Sequence, residues 1–407
     1  MNTNKLIMTL IVFFITFTSH GQSLSIIKYN AENKNDSWSQ NNLGVIYENG
    51  DGVEKNLKLA FHWYEKAANN GNSYACYNLG RHYEYGISVP ININKALYWY
   101  NKAASAYHSN SCLKLGKWYL NGINVSKNLH KAVSFLKDAA FRGNVEGKHL
   151  IGYCHAYGFG VKQDSVRALL WLKRAIDEKY YFSYYLLGTM YQKGISVSKD
   201  EQTAFNYFLD GDSYNESNCQ NSLALCYLDG IGVEPDTLKA IHYFEKSANN
   251  GNMYGQRNLA YKYKRGIGVK NDLQKAIFWF EKSAEHDDET SYEELISAYD
   301  FLKDYNSLFA CVQKGAKLNY KSCLNRLAYC YAYGEGTSSD LKKALSIIEH
   351  AILRYPNDPN LYDSKGEILL MKGSKKASRE MWIKVINMDP DFYINENSEL
   401  NKYMSKE

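Results

Sequence analysis

The stretch that decides the fold is LGVIYENGDGVEKNLKLAFHWYEKAANNG, residues 43–71, because it recurs along the chain at a spacing of 36 residues. One column of the repeat is always alanine, as Ala60, Ala96, Ala132, Ala168, Ala204, Ala240 and Ala276. A second column is leucine or isoleucine, as Leu43, Leu79, Leu115, Ile151, Leu187, Leu223 and Leu259. A fixed period of this length is typical of a solenoid, a stack of identical structural units.

Each period has room for two helices of about 13 residues and two short turns. A glycine or alanine follows each leucine-column residue, and such a small side chain lets two helices approach closely. Large side chains follow the alanine column by three residues, at a helical spacing that predicts burial. They are Trp63, Trp99, Phe135, Trp171, Tyr207, Tyr243 and Trp279. We predict an all-α solenoid of antiparallel helix pairs with these aromatic side chains in its core.

The start of each second helix is marked by Asn or Asp four residues before the alanine, as at Asn56 and Asp164. Both residues are preferred N-caps, whereas acid–base chemistry would not allow them to interchange. Gly50-Asp51-Gly52 resembles a phosphate-binding loop, but its first glycine recurs in eight units. A phosphate loop is expected once, between a strand and a helix. We therefore interpret these glycines as helix-ending turns.

The first 21 residues have the features of a secretory signal peptide. Lys5 precedes an apolar stretch at 6–18, and small residues stand before the expected cut at Gly21/Gln22. An uncleaved anchor is the alternative, but this stretch is shorter than the ~20 residues that span a membrane. We predict an exported protein, periplasmic or extracellular, with no membrane span after cleavage.

The pattern A-x-x-x-L-G-x-x-Y-x-x-G-x-G-V-x-x-(D/N)-x-x-K-A-x-x-W-x-x-K-A-A resembles the Sel-one-like repeat, a relative of the tetratricopeptide repeat. Nine such units cover 36–356, and the eighth is degenerate because it has lost four residues and its glycine loop. Residues 22–35 are predicted to be a capping half-unit, 357–393 a tetratricopeptide-like unit and 394–407 a polar tail. The resemblance implies a right-handed α/α superhelix of helix pairs that acts as an adaptor for other proteins.

Eight cysteines in an exported chain would usually indicate disulfides. Some exported relatives join the end of one second helix to the next first helix, but Ala68 and Ala104 stand at the first position of that pairing. We predict buried free thiols, and a Cys311–Cys323 bond stays open. No cysteine or histidine spacing is typical of a metal site, and the sequence indicates no cofactor.

The resemblance also indicates where a partner would bind. In the tetratricopeptide arrangement, positions three before and one after the small residue of each first helix face the concave side. The predicted partner-binding residues are Tyr77, Arg81, Lys117, His149, Tyr153, Tyr185, Asn221, Arg257 and Tyr261. This set is aromatic and cationic, and acids are almost absent from these columns until Glu293. A protein or peptide ligand, acidic or aromatic, is the expected partner.

Two classes of function remain open. The first is a non-enzymatic scaffold, and the net charge of +5, without a basic cluster, argues against nucleic acid as its partner. The second is a hydrolase of cell-wall or β-lactam-type substrates, an activity of some cysteine-stapled relatives. The sequence shows no Ser/Lys or Ser/His constellation of the kind such a hydrolase needs, which favours the scaffold.

Overall fold

The structure, a computed structural model, describes residues 24–390 and residue 392. All regular elements in that part of the chain are helices. Helix α1 spans 24–33. The others are α2 (Ser37–Asn49), α3 (Leu57–Asn69), α4 (Ser73–Tyr85), α5 (Ile93–Ser105), α6 (Ser109–Asn121), α7 (Leu129–Phe141), α8 (Val145–Tyr157), α9 (Ser165–Asp177), α10 (Phe182–Lys193), α11 (Glu201–Ser213), α12 (Ser217–Asp229), α13 (Thr237–Asn249), α14 (Met253–Arg265), α15 (Leu273–Ala284), α16 (Glu289–Leu302), α17 (Tyr305–Lys317), α18 (Lys321–Tyr333), α19 (Leu341–Arg354), α20 (Pro359–Met371) and α21 (Lys375–Met388).

The chain divides into two compact units, one ending at Tyr207 and the other beginning at Phe208. Within each unit, a helix packs against the helix that follows it, and first helices alternate with second helices. The predicted all-α solenoid of helix pairs is confirmed. No helix of the described chain is long and apolar enough to cross a membrane. The predicted signal peptide and polar tail lie outside the described residues.

The small residue beside each leucine makes room for a large side chain of the second helix. A Cβ added to Gly44 would lie 2.6 Å from the Tyr64 ring, and one added to Gly80 would lie 2.5 Å from the Tyr100 ring. Tyr64 and Tyr100 have no exposed surface. Close helix approach at this column is therefore confirmed, and at Gly44 and Gly80 it leaves no room for a methyl group.

The aromatic column predicted for the core is buried at Trp63 and Trp171 and only partly buried in the other five units. Trp99 and Phe135 are only partly buried, whereas the residues that follow them, Tyr100 and Leu136, have no exposed surface. Residues four apart share one face of a helix, so the position four after the alanine points with it into the interior.

The predicted caps are confirmed. Each Asn or Asp of the cap column accepts a hydrogen bond from the amide three residues later, at 3.0 Å for Asn56 and 2.9 Å for Asp164. First helices of the units that keep the glycine loop end on glycines with left-handed backbones, and Gly50 has φ of 86°. Asn124 and Ser196 replace the second turn glycine and still have φ of 61° and 62°. The glycine pair that opens the repeat is a structural turn.

A cap substitution tests this assignment. Asp164→Ala is expected to lower the free energy of unfolding by about 1 kcal/mol, because the Arg167 amide loses its acceptor. Asp164→Asn keeps an acceptor oxygen and should remain within a few tenths of a kcal/mol of the native protein. Urea unfolding followed by circular dichroism measures both. An equal loss in the two variants would assign the effect to the charge of Asp164 and not to capping.

All eight cysteines are buried and free, including Cys311 and Cys323. Burial raises the pKa of the Cys112 thiol to about 11 and that of Cys154 to about 12. A thiol must ionise before it attacks an electrophile, so these side chains are protected by both access and protonation.

Thiol counting checks this arrangement. The native protein should react slowly with a colorimetric thiol reagent, because its cysteines are buried and protonated. Denaturation without reductant should release all eight thiols. A denatured count lower by a pair, with recovery on adding reductant, would show that a disulfide forms and would contradict the expectation.

Candidate protein-binding surface

The predicted binding residues lie on first helices, as the repeat register requires. Tyr77 and Arg81 are in α4, Lys117 in α6, His149 and Tyr153 in α8, Tyr185 in α10, Asn221 in α12, and Arg257 and Tyr261 in α14. Within this set Tyr185 is the exposed member, with 40% of its surface accessible, and the other eight are partly buried. Most of these side chains therefore contact other parts of the protein.

Arg81 belongs to a polar cluster around Glu48. Its Nη2 lies 3.2 Å from Glu48 Oε1, and the Tyr64 hydroxyl donates to Glu48 Oε2 at 2.6 Å. His82 Nε2 lies 3.6 Å from the same carboxylate. The neighbouring His82, the hydrogen bond from Tyr64 and the charge of Arg81 together lower the pKa of Glu48 to about 2 despite its burial. Arg81 thus neutralises an acid of the preceding first helix.

The same pairing of a cation with a neighbouring acid recurs elsewhere in the compact unit that ends at Tyr207. Lys117 Nζ lies 2.8 Å from Glu146 Oε1, which is on the next first helix. Lys114 Nζ lies 2.8 Å from Glu84 Oε1, and the Tyr100 hydroxyl donates to that carboxylate at 2.6 Å. The acid, the phenol and the cation connect three helices, so these charges help to hold neighbouring repeats together.

In the compact unit that begins at Phe208, Arg257 Nη1 lies 2.7 Å from Oδ1 of Asp288. Asp288 is buried, and its other oxygen accepts from the hydroxyls of Ser283 and Ser291 at 3.0 Å and 2.6 Å. The Arg257 side chain is only 23% exposed. Asp288 therefore has three donors around a buried carboxylate and is part of the internal structure.

Arg81 and Arg257 have 34% and 23% of their side chains exposed and are held by acids of the protein, whereas Lys117 pairs with Glu146 and stays 44% exposed. Their partners stand in other columns of the repeat. Glu48 lies four residues after the small residue, and Asp288 is the residue immediately before the following first helix. A comparison of one column at a time cannot show pairs that form across two columns.

The remaining predicted residues also have internal partners. His149 Nδ1 lies 3.0 Å from the Ser183 hydroxyl, and burial lowers the pKa of His149 to about 4. The Tyr153 ring centroid lies 4.7 Å from that of Tyr157. In the compact unit that begins at Phe208, Asn221 accepts a hydrogen bond from Asn258 at 2.9 Å. Tyr261 donates one to Glu294 at 3.1 Å.

Tyr77 has a different environment, because it belongs to a row of rings at the start of three first helices. We call this row the aromatic ladder: Trp38, Tyr74, His108 and Tyr77. Ring centroids are 5.2 Å apart between Trp38 and Tyr74, 4.7 Å between Tyr74 and His108, and 4.9 Å between His108 and Tyr77. Trp38 and Tyr74 are 56% and 48% exposed. Adjacent, exposed rings of this kind are typical of binding surfaces.

Sequence reasoning missed Trp38 and Tyr74. Both stand six residues before the small residue of their helix, and Phe182 and Tyr254 occupy the same column in later units. Phe182 and Tyr254 are 54% and 49% exposed. The sequence signal for this surface was a large ring that recurs in one column of the first helix. It is distinguished from the recurring rings of the core only by its position around the helix, which faces solvent.

The described residues contain three histidine–serine hydrogen bonds, although the sequence indicated no Ser/His constellation of the kind a hydrolase needs. They are His82–Ser88 at 2.7 Å, His108–Ser111 at 3.0 Å and His149–Ser183 at 3.0 Å. His82, Ser111 and Ser183 have no exposed surface. Each pair thus contains a group that a substrate cannot reach, and a nucleophile or base must contact its substrate. Nor do the described residues contain a cluster of three or more His, Cys, Asp or Glu that could hold a metal ion.

Stacked helix pairs, each with a left-handed glycine after its first helix and a polar cap before its second, define a tetratricopeptide-like α-repeat protein. The Sel1 repeat family matches residues 39–72, 73–108, 109–144, 145–180, 182–209, 217–252, 254–288 and 321–347. These segments make up more than half of the chain, which therefore belongs to the Sel1 repeat family. The unmatched stretch before the last segment holds α16 and α17.

A solved structure of the family has the same fold, and a second is similar over most of its length. A Sel1 repeat protein from Oxalobacter formigenes is 29% identical with a TM-score of 0.56, and the match covers 69% of this chain and 81% of that one. A protective antigen from uropathogenic Escherichia coli, described as having an SLR fold, is 24% identical with a TM-score of 0.49. That match covers 90% of this chain and 94% of the antigen. No curated protein sequence matches the chain.

Proposed function

We propose that this Sel1 repeat protein is an exported, non-enzymatic scaffold that binds a protein or peptide through the exposed side chains of its first helices. The aromatic ladder is the observation that carries the proposal. Trp38 and Tyr74 lie side by side with about half of each ring accessible. Exposed rings fixed next to one another lose little conformational entropy on binding and often dominate the energy of an interface.

The ion pairs define the chemistry of the partner. Arg81 and Lys117 already neutralise Glu48 and Glu146, so an acidic peptide would have to displace an internal acid from each. A partner that binds to the aromatic ladder would not have to displace an internal acid. Apolar or aromatic side chains of the partner, with hydrogen bonds to tyrosine hydroxyls, therefore fit this surface better than a row of carboxylates.

Site-specific photo-crosslinking tests the binding surface. p-Benzoylphenylalanine at Tyr74 in α4 should capture a discrete partner in cells of the native organism. The matched control is Tyr98 in α5, which is 59% exposed but lies on a second helix. Trp38→Ala should weaken capture at Tyr74 because the ladder loses its first ring. Equal crosslinking at Tyr98 and Tyr74, or capture unchanged by Trp38→Ala, would contradict the proposal.

Export has its own test, because it rests on residues 1–21 alone. Protein recovered from the periplasm or culture medium should begin at Gln22 when its N-terminus is determined by mass spectrometry. Replacing residues 9–12 by charged residues should keep the full-length chain inside the cell. Recovery of uncleaved protein from the cytoplasm of native cells would overturn this part of the proposal.

A further inference from the structure

A second set of rings recurs between the two helices of a repeat. We call the residue three after each alanine-column position the ring position, and in three units it stacks on a tyrosine of the first helix in its own unit. The stacked pairs are Tyr119–Phe135 at 5.9 Å, Tyr191–Tyr207 at 5.6 Å and Tyr227–Tyr243 at 5.6 Å between centroids. These pairs fill the space between one second helix and the adjacent first helix.

The ring position holds no ring in units eight and nine. The N-cap fixes the register, since Asp236 stands seven residues before the ring position Tyr243. By the same offset, Asp304 places Cys311 at the ring position of unit eight, and Asp340 places Ile347 at that of unit nine. Both aspartates accept a hydrogen bond from the amide three residues later, which confirms this register.

A pocket lies at each of these two positions. The first has a volume of about 320 Å³ and is lined by Leu295, Tyr299 and Cys311 among others. The second, of about 550 Å³, is lined by their equivalents Leu327, Tyr331 and Ile347. Leu327 and Tyr331 stand 32 residues after Leu295 and Tyr299, which is the spacing of the shortened unit. Ile347 stands 36 residues after Cys311, which is the spacing of a full unit. No ring fills the space at either position, and each volume suits a small organic group.

The walls of the first pocket favour a planar ring with a hydrogen-bond donor. Leu295 and Cys311 are buried and apolar. The Tyr299 hydroxyl donates to Glu281 Oε1 at 2.6 Å. That carboxylate lines the pocket and has further acceptor sites for a donor. Lys314 stands at the rim. An indole supplies an apolar face for the tyrosine ring and an N–H for the carboxylate.

We infer that the pockets at Cys311 and Ile347 bind aromatic side chains of a partner polypeptide, with tryptophan preferred. The chain itself places a ring at the equivalent position in the seven preceding units, and four of those rings are tryptophan. Two successive pockets, one per repeat, fit a polymer that presents more than one ring. This surface is separate from the aromatic ladder and does not depend on it.

A fluorotryptophan tripeptide with blocked termini tests the inference, because ¹⁹F NMR observes the ligand without interference from the protein's own tryptophans. Line broadening on titration with the mature protein should give a weak, saturable affinity. The same tripeptide with ordinary tryptophan should compete, whereas a leucine tripeptide should not. Free indole is a further arm: binding of indole without binding of the tripeptide would assign the pockets to small aromatic compounds and overturn the partner inference.

Filling the pockets provides the decisive variants. Cys311→Trp with Ile347→Trp should restore the rings of the other units and weaken tripeptide binding about tenfold or more. Cys311→Ala is the matched control, since it removes the thiol, keeps the space and should leave binding intact. Should the tryptophan variant fail to fold by circular dichroism, Tyr299→Ala replaces it, and loss of the stacking wall should weaken binding similarly. Undiminished affinity in the folded variant, or equal competition by leucine, overturns the inference.

Discussion

Replacing Gly80 by leucine is expected to lower the free energy of unfolding by about 3 kcal/mol, through overpacking of a helix contact. A Cβ at this position would already lie 2.5 Å from the Tyr100 ring. The ring cannot swing away cheaply, because Tyr100 is completely buried and its hydroxyl is bound to Glu84. Thermal and urea unfolding of the variant, followed by circular dichroism, measure the loss.

A double variant distinguishes this steric explanation from a change in helix propensity. Tyr100→Ala should be destabilising alone, but adding it to Gly80→Leu should cost less than the sum of the two effects, because the leucine fills the space that the ring vacates. Asn42→Leu, at an exposed position of α2, should have little effect. Strict additivity in the double variant would mean that Gly80 and Tyr100 do not constrain each other.

Reversing the charge of Arg257 is expected to cost about 3–5 kcal/mol, because it breaks a buried ion pair and adds a second carboxylate beside the first. Asp288 has 6% of its side-chain surface exposed and lies 2.7 Å from Arg257. Its carboxylate also accepts a hydrogen bond from the hydroxyl of Ser291 in the first turn of α16, so its displacement would disturb the start of that helix. The unfolding transition of Arg257→Glu should move to markedly lower urea concentration.

Lys264→Glu is the matched control, because Lys264 pairs with Glu294 on the same two helices while its side chain is 40% exposed. Solvent screening should limit its cost to about 1 kcal/mol. Similar losses in the two variants would mean that Asp288 is better solvated than the structure shows. The comparison also bears on binding assays: lost capture by an Arg257 variant reports on binding only when its fold is shown to be intact.

The repeat columns predicted the backbone of this protein well. Asn56, Asp164 and Gly50 are local determinants, because each acts on amides or dihedral angles within a few residues of itself. Their structural role can therefore be inferred from one unit and checked against the others. The small residues, such as Gly80, were equally predictable, since the need for space recurs in each unit.

The chemistry of the first-helix surface was less predictable, because it depends on pairs between units. Arg81 and Glu48 are 33 residues apart, and Arg257 and Asp288 are 31 apart, so neither pair follows the period. The aromatic ladder has the same origin. His108 replaces the asparagine found at Asn72 and places a ring beside Tyr74. Only the folded arrangement brings such residues together.

The shortened eighth unit has a practical consequence for engineering. Helix α16 ends at Leu302 and α17 begins at Tyr305, whereas seven residues separate α14 from α15, yet both pairs pack helix on helix. Turn length is therefore free to vary while helix pairing is kept. The junction at Lys303, whose φ is 55°, offers a site at which an epitope tag or a fluorophore-binding peptide can be inserted and displayed without altering the repeats on either side.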